Sequence, residues 1–224
     1  MAGFFPSQGT HLERYAARFP AVEIDTSFYR THRPSTYARW AQSVPPDFRF
    51  SVKLPRQVTH AGRLKDPSLL VDFLSSVQSL GEKLGVLLVQ LPPSLKFEPT
   101  VVSTFFTAFR SQYQGGTACE PRHPSWFQPA AREILASFQV ARVAADPAIH
   151  PLASAPGGWE GLIYYRLHGS PRIYYSAYSS AFLEDLAQKL AFSVQTAPTW
   201  CIFDNTAEFA ATRNALELLR RSLD

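Results

Sequence analysis

The stretch THLERYAARFPAVEIDTSFYRTHRPSTYARWAQSVPPDFRFSVK, residues 10–53, decides the fold class. It begins with a segment of helical period, Thr10–Phe19, and continues into the short apolar run Ala21–Asp25. A second helical segment, Pro34–Val44, leads into the strand candidate Phe48–Lys53. Strands that alternate with helices of this length are typical of a parallel sheet covered by helices.

The same alternation runs to the end of the chain, with the last helix expected over Ala207–Leu223. We count seven strands and seven helices and predict one α/β domain over residues 1–224. A TIM-type (β/α) barrel fits better than a Rossmann fold, because no GxGxxG motif follows a strand. Only Met1–Pro6 precedes the first helix, so we predict that the barrel lacks its first strand. The remaining strand candidates are Val86–Leu91, Thr117–Glu120, Phe138–Val143, Leu162–His168 and Thr199–Asp204.

Composition limits the class of protein. Hydrophobic residues make up 46% and charged residues 18%, which is typical of a globular chain. No apolar run reaches the roughly 20 residues of a membrane helix, and Met1–Thr10 has no basic start of a signal peptide. Cys119 and Cys201 lie in apolar runs without a CxxC partner, which favours reduced thiols and a cytoplasmic protein. The net charge of +4 favours an anionic ligand and leaves the oligomeric state open.

Polar side chains cluster where the predicted strands end. In parallel barrels, sites form at the carboxyl ends of the strands, so these groups should share one end. Glu23 and Asp25 lie two apart, as do Arg166 and His168, so each pair shares a face of its strand. Buried charges need partners, which predicts an ion-pair network that either serves a ligand or only closes the barrel. The strand-end groups are Glu23, Asp25, Lys53, Gln90, Glu120, Arg122, His123, Arg166, His168, Asp204 and Asn205.

Basic residues and aromatic rings alternate in the loops that follow these strands. Tyr29 precedes Arg30, His60 lies between Arg56 and Arg63, and Trp126 follows His123. Basic groups with rings nearby are what an anionic, ring-bearing ligand requires. The alternative is a solvated basic rim with its rings in the core. The pair Gly157-Gly158 lies in a long segment and is expected to be flexible turn material, as in a lid.

Six collinear motifs resemble one family, the YecE-like proteins, called domain of unknown function 72. The resemblance runs from about Phe5 to Leu219 and implies a TIM-barrel fold whose motif residues line a shared cleft. It implies no established activity. The family's first strand, with its Gly-rich, Trp-containing turn, is absent from this chain, and Asp25 stands where the family often has Asn. The motifs are EIDTSFYR at 23–30, FRFSVK at 48–53 with VTH at 58–60, QLPP at 90–93, EPRHPSW at 120–126, YRLHG at 165–169 with Tyr174 and Tyr178, and FDNT at 203–206.

The leading hypothesis is an enzyme that applies acid/base chemistry to a phosphorylated, nucleotide or carbohydrate-like anion. Glu23, Glu120 and His168 are the catalytic candidates. The predicted ligand-binding residues are Asp25, Tyr29, Lys53, His60, Gln90, Arg122, His123, Trp126, Arg166, Tyr178, Asp204 and Asn205.

Three alternatives stay open. A nucleic-acid or nucleotide binding module would use the basic loops without chemistry of its own. An interaction scaffold would use an open barrel edge. A metal-dependent, phosphodiesterase-like hydrolase would use the strand-end carboxylates and histidines. Neighbouring cations disfavour a divalent metal, so no cofactor is predicted.

Overall fold

The computed structural model describes residues 4–221, which divide into two compact units. The first comprises Met1–Pro92 and Thr100–Thr117, and the second comprises Pro93–Pro99 and Ala118–Asp224. Each unit contains parallel strand pairs and several helices, so the α/β class predicted from the alternation is confirmed. The prediction of a single domain stays a prediction.

In the first unit, three parallel strands lie side by side in chain order. They are β1 (Ala21–Ile24), β2 (Arg49–Lys53) and β3 (Leu84–Gln90). The apolar side chains of β2 and β3 are almost completely buried, as is the phenylalanine-rich face of the last helix. The helices of this unit are α1 (His11–Ala16), α2 (Pro34–Gln42), α3 (Val71–Val77) and, from Thr100 onward, α4 (Pro99–Arg110).

Before the first helix, residues 4–10 form no regular strand. Phe5 forms only an isolated bridge. The first regular element is α1, where the Thr10 side chain accepts from the Glu13 N–H and the Glu13 carboxylate accepts from the Thr10 N–H. This capping box satisfies two N–H groups at the helix start. The helix ends at Ala16, three residues before the predicted end at Phe19.

In the second unit, five strands form parallel pairs. The strand β4 (Gly116–Glu120) pairs with β5 (Ala141–Arg142). Next, β6 (Ala144–Asp146) pairs with β8 (Ile163–Leu167), which pairs with β9 (Thr199–Phe203). The short strand β7 (Gly157–Gly158) runs antiparallel to β5. The helices are α5 (Pro129–Ser137), α6 (Ser180–Ser193) and α7 (Ala210–Arg221).

The predicted strand Phe138–Val143 is placed too early. Phe138 caps α5, and Gln139 has a φ of 55°, so extended structure begins only at Ala141. Val143 alone separates β5 from β6, and its N–H donates to the Cys119 carbonyl at 2.9 Å. One extended run therefore passes from pairing with β4 to pairing with β8, and it continues to Asp146.

The last helix also begins later than predicted. Residues 206–209 form turns, and Phe209 has a φ of 61°, so α7 starts at Ala210 rather than Ala207. The predicted end at Leu223 lies outside the described residues. Cys119 and Cys201 are free thiols. Within residues 4–221, no helix combines the length and apolar character that a membrane crossing requires.

The glycine pair at the end of the 144–161 segment is not flexible turn material. A Cβ on Gly158 would lie 2.5 Å from the Val140 carbonyl oxygen, and Gly158 has a φ of +68°. A Cβ on Gly157 would lie 2.6 Å from an Arg142 nitrogen. Gly158 is therefore required by its backbone conformation and by close packing against a backbone carbonyl, whereas a Cβ on Gly157 would displace the end of the Arg142 side chain.

Side chains alternate along β8, and this sets the direction of its polar group. Tyr165 and Leu167 pack in an apolar cluster with Leu183 and Leu186 of α6 and Leu218 of α7. Because successive side chains of a strand point to opposite faces, Arg166 points away from these helices. The sequence analysis predicted that Arg166 points inward, and it did so from this same alternation.

The amide of Asn214 on α7 holds the segment between β8 and α6. Its Oδ1 accepts from the Tyr178 N–H at 3.1 Å, and its Nδ2 donates to the Tyr178 carbonyl at 3.1 Å. The same Oδ1 accepts from Asn205 Nδ2 at 3.1 Å. Asn214 is 4% exposed, so water cannot replace these bonds easily.

We predict that Asn214→Ala lowers the free energy of unfolding by about 2 kcal/mol or more, because buried backbone groups lose their partners. The neighbouring exposed Arg213→Ala should change it by less than about 0.5 kcal/mol. Urea denaturation of both variants measures the difference. Equal effects of the two substitutions would contradict this role of Asn214.

Candidate functional site

Three strand ends of the second unit bring ionisable side chains together. Glu120 is the last residue of β4, His168 follows β8 directly, and Asp204 follows β9 directly. Arg166 comes from within β8 and Arg122 from the turn after β4. We call these five residues the strand-end cluster. Parallel strands place their carboxyl ends at the same edge, which explains why residues so distant in sequence meet at this edge.

Glu120 is the centre of this cluster. Its Oε1 accepts from Arg122 Nε at 2.8 Å and lies 3.1 Å from His168 Nε2. Its Oε2 accepts from Arg166 Nη1 at 2.8 Å. Burial by itself would raise the pKa of Glu120, but Arg166, His168 and Arg122 outweigh burial and hold that pKa well below its ordinary value. Glu120 is therefore ionised over the whole neutral range.

His168 lies between two carboxylates. Its Nδ1 is 2.9 Å from Asp204 Oδ2, and its Nε2 faces Glu120 Oε1. Burial would lower the pKa of His168, but the hydrogen bonds with Asp204 and Glu120 outweigh burial and raise it. A ring whose two nitrogens both face carboxylate oxygens donates from both only as the imidazolium. The geometry therefore favours the protonated form.

The two arginines differ in exposure. Arg166 is completely buried and also lies 3.3 Å from Asp204 Oδ2, so it joins both carboxylates. The Arg122 side chain is 22% exposed, and its Nη2 lies 3.5 Å from His168 Nε2. Burial would lower the pKa of Arg122, but Glu120 and Tyr174 outweigh it and raise that pKa. Arg122 is thus the cation of the cluster that a ligand can reach most easily.

Tyr178 and Asn205 hold the backbone around the cluster. The Tyr178 hydroxyl accepts from the Gly169 N–H at 2.8 Å and donates to Asp146 Oδ1 at 2.8 Å. Asn205 is completely buried, and its Nδ2 donates to the Ser176 carbonyl at 2.9 Å. Both residues were predicted to bind ligand, whereas these hydrogen bonds are those of positioning residues.

His123 and Trp126 also make local contacts. His123 Nδ1 accepts from the Ser125 N–H at 3.1 Å, which caps the 3-10 helix Pro124–Phe127. Trp126 is 1% exposed and donates from Nε1 to the Leu95 carbonyl at 2.9 Å. A ring buried to this extent packs the core, so Trp126 is not placed to contact a ligand.

A separate group forms in the first unit. Lys53 Nζ lies 3.3 Å from Asp25 Oδ1 and 4.4 Å from the centre of the Phe28 ring. The His60 ring packs edge-on against Phe28 at 4.8 Å. Three further predicted residues of this unit differ in exposure: Tyr29 is 81% exposed, Glu23 is partly exposed and Gln90 is 6% exposed.

Two further residues lie near the strand-end cluster: Tyr174, which the sequence named only as a cleft-lining motif residue, and Asp146, which it did not name. Tyr174 lies edge-on to His168, with ring centres 6.1 Å apart. Asp146 ends β6 and binds Tyr178. The misplaced fifth strand hid Asp146, because a strand ending at Val143 leaves it in a loop. An acidic residue directly before Pro147, after an apolar run, was the signal that could have revealed it.

The carboxylates of the cluster are already occupied by cationic groups. Glu120 uses both oxygens for Arg122, Arg166 and His168, and Asp204 Oδ2 serves Arg166 and His168. Among residues 4–221, no group of three or more His, Cys, Asp or Glu side chains is arranged to hold a metal ion. Two guanidinium groups at this position repel a divalent cation.

Comparison with known proteins gives relatives of unknown function. UPF0759 protein YecE of Escherichia coli (strain K12) is 30% identical over 128 residues, which cover 55% of this chain and 46% of YecE. UPF0759 protein YunF of Bacillus subtilis (strain 168) is 28% identical over 161 residues, which cover 68% of this chain and 55% of YunF. The chain thus spans about half the length of the curated relatives it matches.

Two solved structures have a similar fold. A DUF72 family protein from Thermotoga maritima MSB8 gives a TM-score of 0.79 at 26% identity, over 94% of this chain and 88% of that one. A DUF72 family protein from Enterococcus faecalis V583 gives 0.81 at 23% identity, over 96% and 89%. At the lower identity the likeness concerns the fold alone.

A family model described as "Protein of unknown function DUF72" matches residues 2–223. This match covers nearly the whole chain, and the curated relatives named above carry the YecE-like name that the motifs of the sequence suggested. The chain therefore belongs to the DUF72 family of YecE-like proteins.

Proposed function

We propose that the strand-end cluster binds a small anionic ligand and acts on it by acid/base chemistry. The observation that carries this proposal is the charge of the cluster. Two carboxylates, Glu120 and Asp204, face Arg122, Arg166 and His168 at distances of 2.8 to 3.3 Å. When His168 is protonated, three positive charges face two negative ones, and the excess charge attracts an anion.

The residues of the cluster take different roles in this proposal. Arg122, the more exposed guanidinium, binds the anion in a bidentate manner. His168 transfers the proton, because its two facing carboxylates raise its pKa above the ordinary value of 6.5. Arg166 and Asp204 are positioning residues. The sequence made Glu120 an acid/base candidate, whereas its depressed pKa supports a role in fixing Arg122 and His168.

The chemical class of the ligand follows from the same groups. A guanidinium fork matches the oxygens of phosphate or carboxylate, so sugar phosphates, nucleotides and acidic carbohydrates are the ligands to test. Catalytic roles for Glu23 and ligand-binding roles for the residues of the first unit stay predictions from the sequence. The nucleic-acid module, the scaffold and the metal-dependent hydrolase also stay predictions of that kind.

We further infer that the strands belong to a (β/α) barrel. One observation supports this inference: in each unit the parallel strands follow one another in chain order, as barrel strands do. The missing first strand stays a prediction from the sequence.

The first prediction from the proposed function concerns anion binding. Inorganic phosphate, ribose 5-phosphate and AMP are titrated by calorimetry at pH 6 and low salt. At least one should bind, and Arg122→Gln should weaken it at least tenfold, or about 1.4 kcal/mol. Arg220→Gln, which removes an exposed charge of α7, should leave the affinity within about twofold. If none of the three binds at millimolar concentration, the anion proposal is wrong.

The second prediction concerns catalysis. Wild-type protein is incubated with a panel of sugar phosphates and nucleotides, and conversion is followed by phosphorus and proton NMR. We expect turnover of at least one compound, and a loss of about 100-fold or more in His168→Gln, because general acid–base catalysis contributes on this scale. If compounds of the panel bind but none is converted, the proposal of catalysis is wrong and only that of a binding site stands.

The third prediction concerns stability and pH. The folded pKa of His168 lies above its ordinary value of 6.5, so the folded state binds more protons than the unfolded state above that pH. Stability should therefore fall as pH rises from about 6.5 through the raised pKa, by at most about 1.4 kcal/mol per pH unit. Urea denaturation at several pH values measures this slope.

The matched variants are His168→Gln, which should remove most of that slope, and His11→Gln at an exposed position, which should keep it. A slope that survives in His168→Gln would contradict the protonated imidazole. Below pH 4.5, the free energy of unfolding should fall again in the wild type and in both variants. The pKa of Glu120 is depressed in the folded state, so the unfolded state binds this proton more readily.

A further inference from the structure

The second unit has a cavity of about 1190 Å³, and none of the residues of the strand-end cluster line it. It is lined by the start of α5, by the segment 155–163 and by Arg142 of β5. The volume exceeds the roughly 300–1,000 Å³ of typical small-molecule pockets, so a ligand and several waters fit within it. Its side chains must therefore be considered separately from the proposed acid/base site.

Arg142 is the unusual residue of this cavity. It is 6% exposed, and both of its hydrogen bonds run from Nη2 to carbonyl oxygens, at 2.9 Å to Leu152 and 3.5 Å to Ala155. Its Nε is buried and has no hydrogen-bond partner among residues 4–221. Within that range no carboxylate forms an ion pair with Arg142. A buried guanidinium normally has such a partner, because an uncompensated charge is costly to bury.

The surrounding chain is shaped to hold this guanidinium in place. The Phe127 ring lies 5.2 Å from its central carbon, within the range of a cation–π contact. Gly157 leaves the space that the guanidinium fills, because a Cβ there would lie 2.6 Å from Nη2. A side chain fixed by a ring and by a glycine backbone is pre-organised, so a ligand that binds it loses little conformational entropy on its account.

The charges at the rim indicate the charge of the ligand. Arg132 lines the cavity, but it is exposed and already lies 3.2 Å from Glu160. Glu133 lines the rim as well. Burial lowers the pKa of Arg142, and the charge of Arg132 lowers it further. One uncompensated positive charge, with carboxylates at the rim, matches a ligand of charge minus one better than a dianion.

The rest of the lining is largely apolar. Trp159, Leu162 and Phe127 contribute rings and aliphatic surface, together with Pro129 and Pro156. Such walls suit the apolar body of a ligand, while a single charged group fixes its orientation.

We propose that this cavity binds an organic monocarboxylate, whose carboxylate accepts hydrogen bonds from Arg142 and whose apolar body lies against Trp159. Nη2 already donates to two carbonyls and Nε is buried, so Nη1, which makes no hydrogen bond with residues 4–221, is the donor that meets the carboxylate. Binding supplies the counter-charge that Arg142 lacks. The site shares no residue with the strand-end cluster, so it gives the protein a second ligand.

The test uses phenylacetate and its neutral analogue phenylacetamide, which have the same shape. The protein is labelled with 5-fluorotryptophan, and the fluorine resonance of Trp159, among the four tryptophans, is assigned with Trp159→Phe. Phenylacetate should shift that resonance saturably. Phenylacetamide should bind at least about tenfold more weakly, since it cannot neutralise the guanidinium. Both titrations are carried out on the wild-type protein, and only the assignment of the resonance needs the Trp159→Phe variant.

Variants locate the effect. Arg142→Gln should raise the Kd for phenylacetate at least about tenfold, whereas Arg132→Gln at the rim should change it less than about threefold. Arg122→Gln should leave it unchanged, which separates this site from the strand-end cluster. Equal binding of the acid and the amide, or an unchanged Kd in folded Arg142→Gln, would overturn the proposal. So would displacement of phenylacetate by an equal concentration of inorganic phosphate.

Discussion

The strand-end cluster depends on the burial of one carboxylate, that of Glu120. An ionised carboxylate that is 2% exposed costs several kcal/mol unless donors replace its lost water. Glu120 has three such donors, from Arg122, Arg166 and His168. Arg122 comes from the segment after β4, Arg166 from β8 and His168 from the position directly after β8. The carboxylate therefore keeps its hydrogen bonds only if the ends of β4 and β8 stay fixed relative to each other. This constraint ties the fold of the second unit to the geometry of its site.

The same constraint sets the protonation of His168. Its two ring nitrogens face Glu120 and Asp204, so only the doubly protonated ring donates on both sides. The net charge of the strand-end cluster then depends on a single proton. Loss of that proton changes an excess of one positive charge into neutrality, which would couple the binding of an anion to pH in the proposed function.

The sequence predicted the fold class, and its eleven strand-end residues include the five that form the strand-end cluster, because alternation and the carboxyl-end rule can be applied to the sequence alone. Arg166 is an example: the period of two in its strand already gave its direction. The sequence predicted one network for all of them, whereas Lys53 and Asp25 pair separately in the first unit. The sequence could not predict which cation binds which carboxylate. The three-dimensional fold decides these pairs: Lys53 lies beside Asp25 in the first unit, and Arg166 lies beside Glu120 in the second. Asp25 and Lys53 are 28 residues apart and Glu120 and Arg166 are 46 apart, so these distances depend on the fold and not on local sequence.

Other errors had local causes that a single sequence does not reveal. Gln139 takes a left-handed backbone conformation, although it is not glycine, and this delayed β5 and hid Asp146. Gly157 and Gly158 were interpreted as flexible, because a glycine pair is compatible both with mobility and with close packing. Arg142 drew no attention in the sequence, since a basic residue in an apolar strand has no local signature of a missing counter-ion.

The most direct test of the account is the pKa of the His168 ring itself. Carbon and nitrogen chemical shifts of labelled histidine, followed from pH 5 to 9, should give a pKa above 6.5 and show both ring nitrogens protonated at pH 6. Asp204→Asn should lower this value, because it removes one of the two facing carboxylates. A pKa at or below 6.5, or a single neutral tautomer at pH 6, would contradict the central claim.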